Sequence, residues 1–266
     1  MDHVAVRNDS EPDIMHALLE AIYATQTVTD GKAQYSALNA KGHPTYIDRA
    51  EGALLQRAIA AVRPTTTLEI GMAYGVSTLF MCEALAELPH RCTHIAIDPY
   101  QNTKWHGIGL RNATDAGFAG LLRFFEERSE FCLPRLVQEG TTIQVALIDG
   151  LHRFAQCALE FYFIDRMLPV GGTVIFDDVD WPAIRRVVRL ALSDGTYEVT
   201  DHTGPKAGRR SLLGWVRKAL THVPHAEKLL RQDFIVRDHE LGIRGTCVAL
   251  KKISPERRKR REYPEF

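Results

Sequence analysis

Residues 68–71, 94–98, 143–149 and 173–178 are short runs dominated by apolar side chains, each closing on a glycine or an aspartate. A strand with one wet face alternates apolar and polar positions, so near-continuous runs mark strands covered on both faces. Between them the apolar positions recur at helical spacing, predicting helices from the glycine turn after residue 71 to about 88, near 112–122, up to 137, over 154–167 and over 183–192. A short strand is expected near 123–127, and two more at 196–200 and 245–251. Strands alternating with amphipathic helices predict an α/β fold with a doubly wound, mostly parallel, seven-stranded sheet.

The ends read differently. An amphipathic helix is expected at 12–26, irregular chain at 27–44, and a second helix at 46–62 that stops at Arg63-Pro64. Residues 1–63 therefore form a helical N-terminal cap, 64–252 the α/β domain, and 253–266 a basic tail. About 45 residues, 201–244, separate the last two strands, too many for a hairpin loop, and form an insertion before the last strand. Within it, residues 209–220 place Leu212, Leu213, Val216 and Leu220 on one face and Arg209, Arg210, Arg217 and Lys218 around it. This basic amphipathic stretch, with Trp215, is expected to close over the site or to make a homodimer contact, with an anionic membrane as the weaker alternative.

Lys plus Arg and Asp plus Glu both number 33, so net charge gives no argument for nucleic acid as a partner. The sixteen residues from Lys251 carry seven basic and three acidic side chains, which changes the picture only for a solvated tail. Five cysteines without a CxxC pair fit reduced thiols and a cytoplasmic location better than a disulfide framework. No leader sequence is evident, and no apolar run approaches the ~20 residues a transmembrane helix needs.

The chemistry gathers at strand ends, where open parallel sheets bind ligands. In Leu68-Glu69-Ile70-Gly71-Met72-Ala73-Tyr74-Gly75-Val76-Ser77-Thr78 a strand runs through a glycine turn into a helix. Gly71 offers a backbone conformation closed to other residues, and Gly75 is expected to clear space for a ligand. Ser77 and Thr78 lie where first-turn N–H groups point outward. A dinucleotide fingerprint needs G-x-G-x-x-G, which Ala73 and Val76 interrupt, so the glycine spacing does not support a NAD-dependent dehydrogenase. Asp98 closes the next strand and can accept both hydroxyls of a ribose, or simply open the turn before Pro99. Asp149, Asp177 and Asp178 close two further strands. If those strands are neighbours, three carboxylates crowd one spot and need a cation or proton to relieve them. Oxygen-only ligands suit Mg²⁺, while the alternative is that Asp149 positions a ligand amine and the Asp pair caps a turn. His152, three residues after Asp149, is a candidate general base or a surface histidine at a helix start. His43, Trp105 and His106 lie in loops able to cover the cleft.

The pattern Glu69-x-Gly71-x-x-x-Gly75-x-Ser77, followed by Ala96-Ile97-Asp98-Pro99, Ser129-Glu130-Phe131-Cys132-Leu133-Pro134, Ile148-Asp149-Gly150-Leu151-His152 and Gly171-Gly172-Thr173-Val174-Ile175-Phe176-Asp177-Asp178, resembles the class I S-adenosylmethionine (SAM)-dependent methyltransferases. The likeness covers about residues 45–192 and is to the metal-dependent O-methyltransferases of antibiotic and sugar biosynthesis. It implies a Rossmann-like fold, SAM as cofactor and a small-molecule acceptor methylated on a hydroxyl. By it, Glu69, Gly71 and Gly75 surround the methionine part of SAM, with Ser77 beside them, Asp98 holds the ribose, Ser129 lies near the adenine, and Asp149, Asp177 and Asp178 bind Mg²⁺. Metal-dependent members often carry a second acid two residues after the first as base. Here that position is Leu151, so either His152 substitutes or the mechanism differs, and a metal-independent N- or O-methyltransferase or a non-catalytic SAM-fold module stand as alternatives.

Overall fold

The computed structural model describes residues 14–193, 195–204 and 237–255. The basic stretch 209–220 with Trp215, and nearly all of the tail, lie outside the described residues. In chain order the elements are α1 (Ile14–Thr25), β1 (Thr27–Thr29), β2 (Gln34–Ser36), α2 (Arg49–Val62), β3 (Thr66–Ile70), α3 (Val76–Ala86), β4 (Thr93–Ile97), α4 (Ile108–Asp115) and β5 (Leu122–Phe125). There follow α5 (Ser129–Gln138), β6 (Val145–Ile148), α6 (Phe154–Met167), β7 (Thr173–Phe176), α7 (Pro182–Leu192), β8 (Tyr197–His202) and β9 (Val248–Lys252).

Seven strands form one sheet in the order β5-β4-β3-β6-β7-β9-β8. The five from β5 to β7 pair in parallel, and β9 runs antiparallel to both β7 and β8. From β3 the chain first builds outward through β4 and β5, then returns to lay β6 on the other side of β3. That reversal opens a crevice at the carboxyl ends of β3 and β6.

Both sheet faces are covered, as the apolar runs predict. Leu68, Ile70, Ala146, Ile148, Val174 and Phe176 pack with Leu133, Leu136, Ile164 and Val187 of α5, α6 and α7. The intervening Val145, Leu147 and Ile175 share the opposite core with Leu55 and Ile59 of α2 and Leu79 and Leu85 of α3. Burying one such side chain contributes about 1.5–3 kcal/mol, so the two cores dominate the stability of this sheet.

Two local expectations need correction. The helix expected at 112–122 is α4, which begins at Ile108 and ends at Asp115, because Gly117 takes φ 82° and turns the chain toward β5. Residues 27–44, expected to be irregular, contain the β1–β2 hairpin. Its turn is made by Asp30, whose Oδ1 accepts the N–H groups of Lys32 and Ala33, and by Gly31 at φ 84°. Three-residue strands are too short to show a period of two. Helix α2, expected from about residue 46, starts at Arg49, where Asp48 and Glu51 form a reciprocal capping box.

Candidate functional site

The turn after β3 is held by backbone. Gly71 (φ 94°) and Gly75 (φ 80°) both take left-handed conformations, with Ala73 at φ 46° between them. A Cβ on Gly71 would strike the carbonyl oxygen of Asp149, and one on Gly75 would lie 2.9 Å from the carbonyl oxygen of Gly109. The close approach expected of a ligand at Gly75 is therefore made by α4 of the chain itself. Backbone packing alone accounts for both glycines.

Glu69, expected beside the methionine part of the cofactor, is wholly buried on the α3 side of the sheet. Its carboxylate accepts the Ser77 hydroxyl at 2.8 Å and the Thr78 hydroxyl, and lies 3.1 Å from Nε2 of His94. Ser77 is nearly as buried, and its hydroxyl is committed to Glu69. Neither side chain presents a free polar atom to the crevice. The burial has a simple cause: Thr67 and Glu69 alternate with Leu68 and Ile70, so the strand period turns them under α3.

Asp98 stands at the end of β4, where expected. Its Oδ2 accepts the Ala73 N–H and its Oδ1 the Tyr100 N–H, both at 2.8 Å, which ties the turn after β3 to the loop after β4. Burial nevertheless pushes its carboxyl above the usual range, against these two N–H groups and the side chain of Gln101. Gln101, absent from the expected set, is itself fully buried and donates to the Ala73 carbonyl at 2.6 Å. Ser129 opens α5, and its hydroxyl donates to Glu160 at 2.7 Å. Gln156 also bonds this pair. Burial pushes Glu160 up to about 7 despite both bonds, and its second oxygen has no partner.

Strands β6 and β7 are neighbours, so their terminal acids do crowd. Asp149, His152 and Asp178 each offer an atom within 4.8 Å of the others. His152 stands between the two acids, Nδ1 3.1 Å from Asp178 Oδ2 and Nε2 3.7 Å from Asp149 Oδ1. Asp177, expected as the third member of the acid cluster, lies outside that group. Successive residues leaving a strand point to opposite sides, and Asp178 then takes φ 53°, so Asp177 is buried while Asp178 turns into the cleft. Its Oδ1 is buried without a partner. Burial drives Asp149 and Asp177 well above the ordinary carboxylate range, and their neighbouring carboxylates push the same way. Asp178 is raised less, because burial is opposed by His152.

A fourth acid reaches this cluster from the cap. Glu51 of α2 repels both Asp149 and Asp177. It accepts the Thr246 hydroxyl beside β9, and the Thr246 carbonyl accepts the Val179 N–H at 2.8 Å. In the sequence Glu51 is indistinguishable from an ordinary capping-box acid, and only the docking of α2 on the sheet brings it here. Around His152, Trp181 lies edge-on at 5.3 Å and is 49% exposed, and Leu151 is 52% exposed. His106 stacks on Tyr35 at 4.0 Å, and Trp105 packs edge-on to Tyr74, which joins the loop after β4 to the cap. His43 lies in an exposed turn and forms no part of the acid cluster.

Residues 68–179 match a family model described as a methyltransferase domain. The resemblance to class I methyltransferases read from the motifs is borne out by that match and by the sheet order. Three solved structures illustrate the likeness. The O-methyltransferase from Bacillus cereus in complex with SAH is 17% identical with a TM-score of 0.55, covering 74% of this chain and 85% of that one. The O-methyltransferase TomG from Streptomyces achromogenes, involved in tomaymycin synthesis and solved with SAM, is 17% identical with a TM-score of 0.55, covering 72% and 82%. The SAH-bound Podospora anserina methyltransferase PaMTH1 is 14% identical with a TM-score of 0.54, covering 71% and 83%. At such identities the likeness is one of fold. No curated protein matches the chain at a significant level. Among the described residues, no helix is long and apolar enough to cross a membrane.

Proposed function

We propose that the chain is a SAM-dependent methyltransferase acting on a hydroxyl of a small molecule, with Mg²⁺ assisting. The observation that carries the reading is the crowding of Asp149, Asp177, Asp178 and His152 at the ends of β6 and β7, beside the Asp98 turn of a methyltransferase-type sheet. SAM supplies an electrophilic methyl group, the acceptor hydroxyl is the nucleophile, and the protein must align it and take its proton. Asp98 holds the ribose hydroxyls, since each of its oxygens keeps a second acceptor direction. Ser129 lies toward the adenine.

The acid cluster fits a hard divalent cation. Asp177 Oδ1 is a buried oxygen with no partner, and Asp149 and Asp178 converge on one point. Asp149 and Asp178 would hold the ion, with Asp177 behind them, and the ion would lower the pKa of an acceptor hydroxyl. His152 takes the proton: Asp178 fixes the ring through Nδ1, and Nε2, 3.7 Å from Asp149 Oδ1, is the nitrogen that receives it. Leu151 and Trp181 give the approach an apolar wall, suiting an acceptor with an apolar ring or chain beside its hydroxyl. The His152–Asp178 contact at 3.1 Å also favours a second reading, a metal-independent enzyme in which this pair alone is the base.

Calorimetry with SAM, then transfer of a labelled methyl group to a panel of hydroxylated metabolites with and without EDTA, tests these readings. The expected result is binding and turnover, with turnover lost in EDTA and restored by Mg²⁺. Full turnover in EDTA selects the metal-independent reading, and absence of SAM binding leaves a non-catalytic module.

A further inference from the structure

A carboxylate with no solvent exposure is costly unless fully hydrogen-bonded, and Glu69 sits at the centre of the molecule in that state. Three side chains meet it. Two are hydroxyls from the first turn of α3, and the third comes from the neighbouring strand, where His94 stands opposite Thr67 in the β3–β4 register. His94 is wholly buried, as is Thr67, whose hydroxyl lies 2.8 Å from Nδ1 of the ring. The tautomer in which Thr67 donates to Nδ1 puts the ring proton on Nε2, which lies 3.1 Å from Glu69 Oε1, a close polar contact outside hydrogen-bond geometry. The side chains of Thr67, His94 and Glu69 thus form one buried polar chain that ends on Ser77 and Thr78.

Those two hydroxyls matter because α3 has no side-chain cap of its own. Its N-cap is Gly75, which has only backbone to offer. Glu69 places a negative charge under the helix N-terminus and grips its first turn, and the turn 71–75 is strung between Glu69 and that helix. We infer that His94 is a positioning residue for cofactor binding: it holds Glu69, and through Glu69 it holds the turn 71–75 and the start of α3 in the conformation that receives SAM. This rests on the reading of the chain as a SAM-binding protein. His94 touches neither cofactor nor acceptor.

The test is calorimetric titration of S-adenosylhomocysteine (SAH) into the full chain, well below the unfolding temperature. If wild type does not bind SAH, the SAM reading fails. With wild type binding, His94→Leu is expected to weaken SAH at least tenfold, and His94→Gln, which keeps an N–H donor for Glu69, to recover affinity to within about threefold of wild type. A His94→Leu protein that unfolds at lower temperature yet binds SAH like wild type would make the network structural only and overturn the inference. Should His94→Leu not fold, Thr67→Val removes only the hydroxyl that sets the ring's tautomer, at nearly constant shape. It is then expected to weaken SAH about threefold, and unchanged affinity there overturns the inference equally.

Discussion

Two groups of acids, one wholly buried and one partly so, lie on one sheet, and they are built oppositely. Glu69, on β3, is saturated: Ser77, Thr78 and His94 all face its carboxylate. Asp149, Asp177 and Asp178, at the ends of β6 and β7, have Glu51 as a further acid and one histidine among them, and Asp177 keeps an oxygen without a partner. Burial costs both clusters, but only the first has been compensated by donors of the chain. A carboxylate with all its partners holds a structure together. A group of carboxylates left short of partners is held in place by the fold at a cost, and is ready for a cation, a proton or a substrate.

Removing charge should therefore act in opposite ways at the two places. The largest effect is expected on turnover: Asp149→Asn and Asp178→Asn should each reduce methyl transfer about 1,000-fold, with thermal midpoints at or above wild type because repulsion is relieved. Steady-state rates on the folded variants check this, and near-wild-type rates would remove the acid cluster from the chemistry. Next in size is stability. Glu69→Gln should lower the free energy of unfolding by about 2–4 kcal/mol, since two buried hydroxyl donors and the adjoining His94 ring lose a charged neighbour. Asp177→Asn should raise it by about 1 kcal/mol. Urea denaturation of the pair decides, and changes of the same sign would dissolve the distinction between the clusters.

The narrowest test, of a pH slope, concerns Glu160, which sits between the extremes with one oxygen bonded and one not. Its folded-state value of about 7 lies above the ordinary 4.5, so the folded protein holds more protons than the unfolded chain between those values. Stability from this group is complete below pH about 4.5 and is lost as pH rises through 7, on the order of 3 kcal/mol in all. Thermal midpoints at pH 5 and pH 8 should differ less in Glu160→Gln than in wild type, and an identical pH slope would show that Glu160 does not titrate there.

Much of this was readable in the chain because it depends on short-range pattern. Apolar runs place β3, β4, β6 and β7, and a residue that closes such a run must stand at a carboxyl strand end, which is where Asp98, Asp149 and Asp178 are found. The boundary of α4 was misread because a glycine at 117 ends a helix only if the chain adopts positive φ there, and helical spacing of apolar residues continues past it. The β1–β2 hairpin was too short to announce itself.

What the amino-acid order determined by itself is the α/β class, the succession of strands along the chain and the list of acids that close them, since each follows from periodicity or from adjacency to a strand end. What tertiary structure alone decided is which of those acids has partners. Glu69 and Asp98 are both motif acids at or near strand ends, yet a histidine from β4 and two hydroxyls from α3 enclose the first, while the second ties two loops at the crevice. Glu51 reads as a helix cap and becomes a site acid only when α2 docks over β6 and β7. Hydrogen-bond satisfaction and charge crowding depend on residues distant in the chain, so they come into being only when the sheet closes around them.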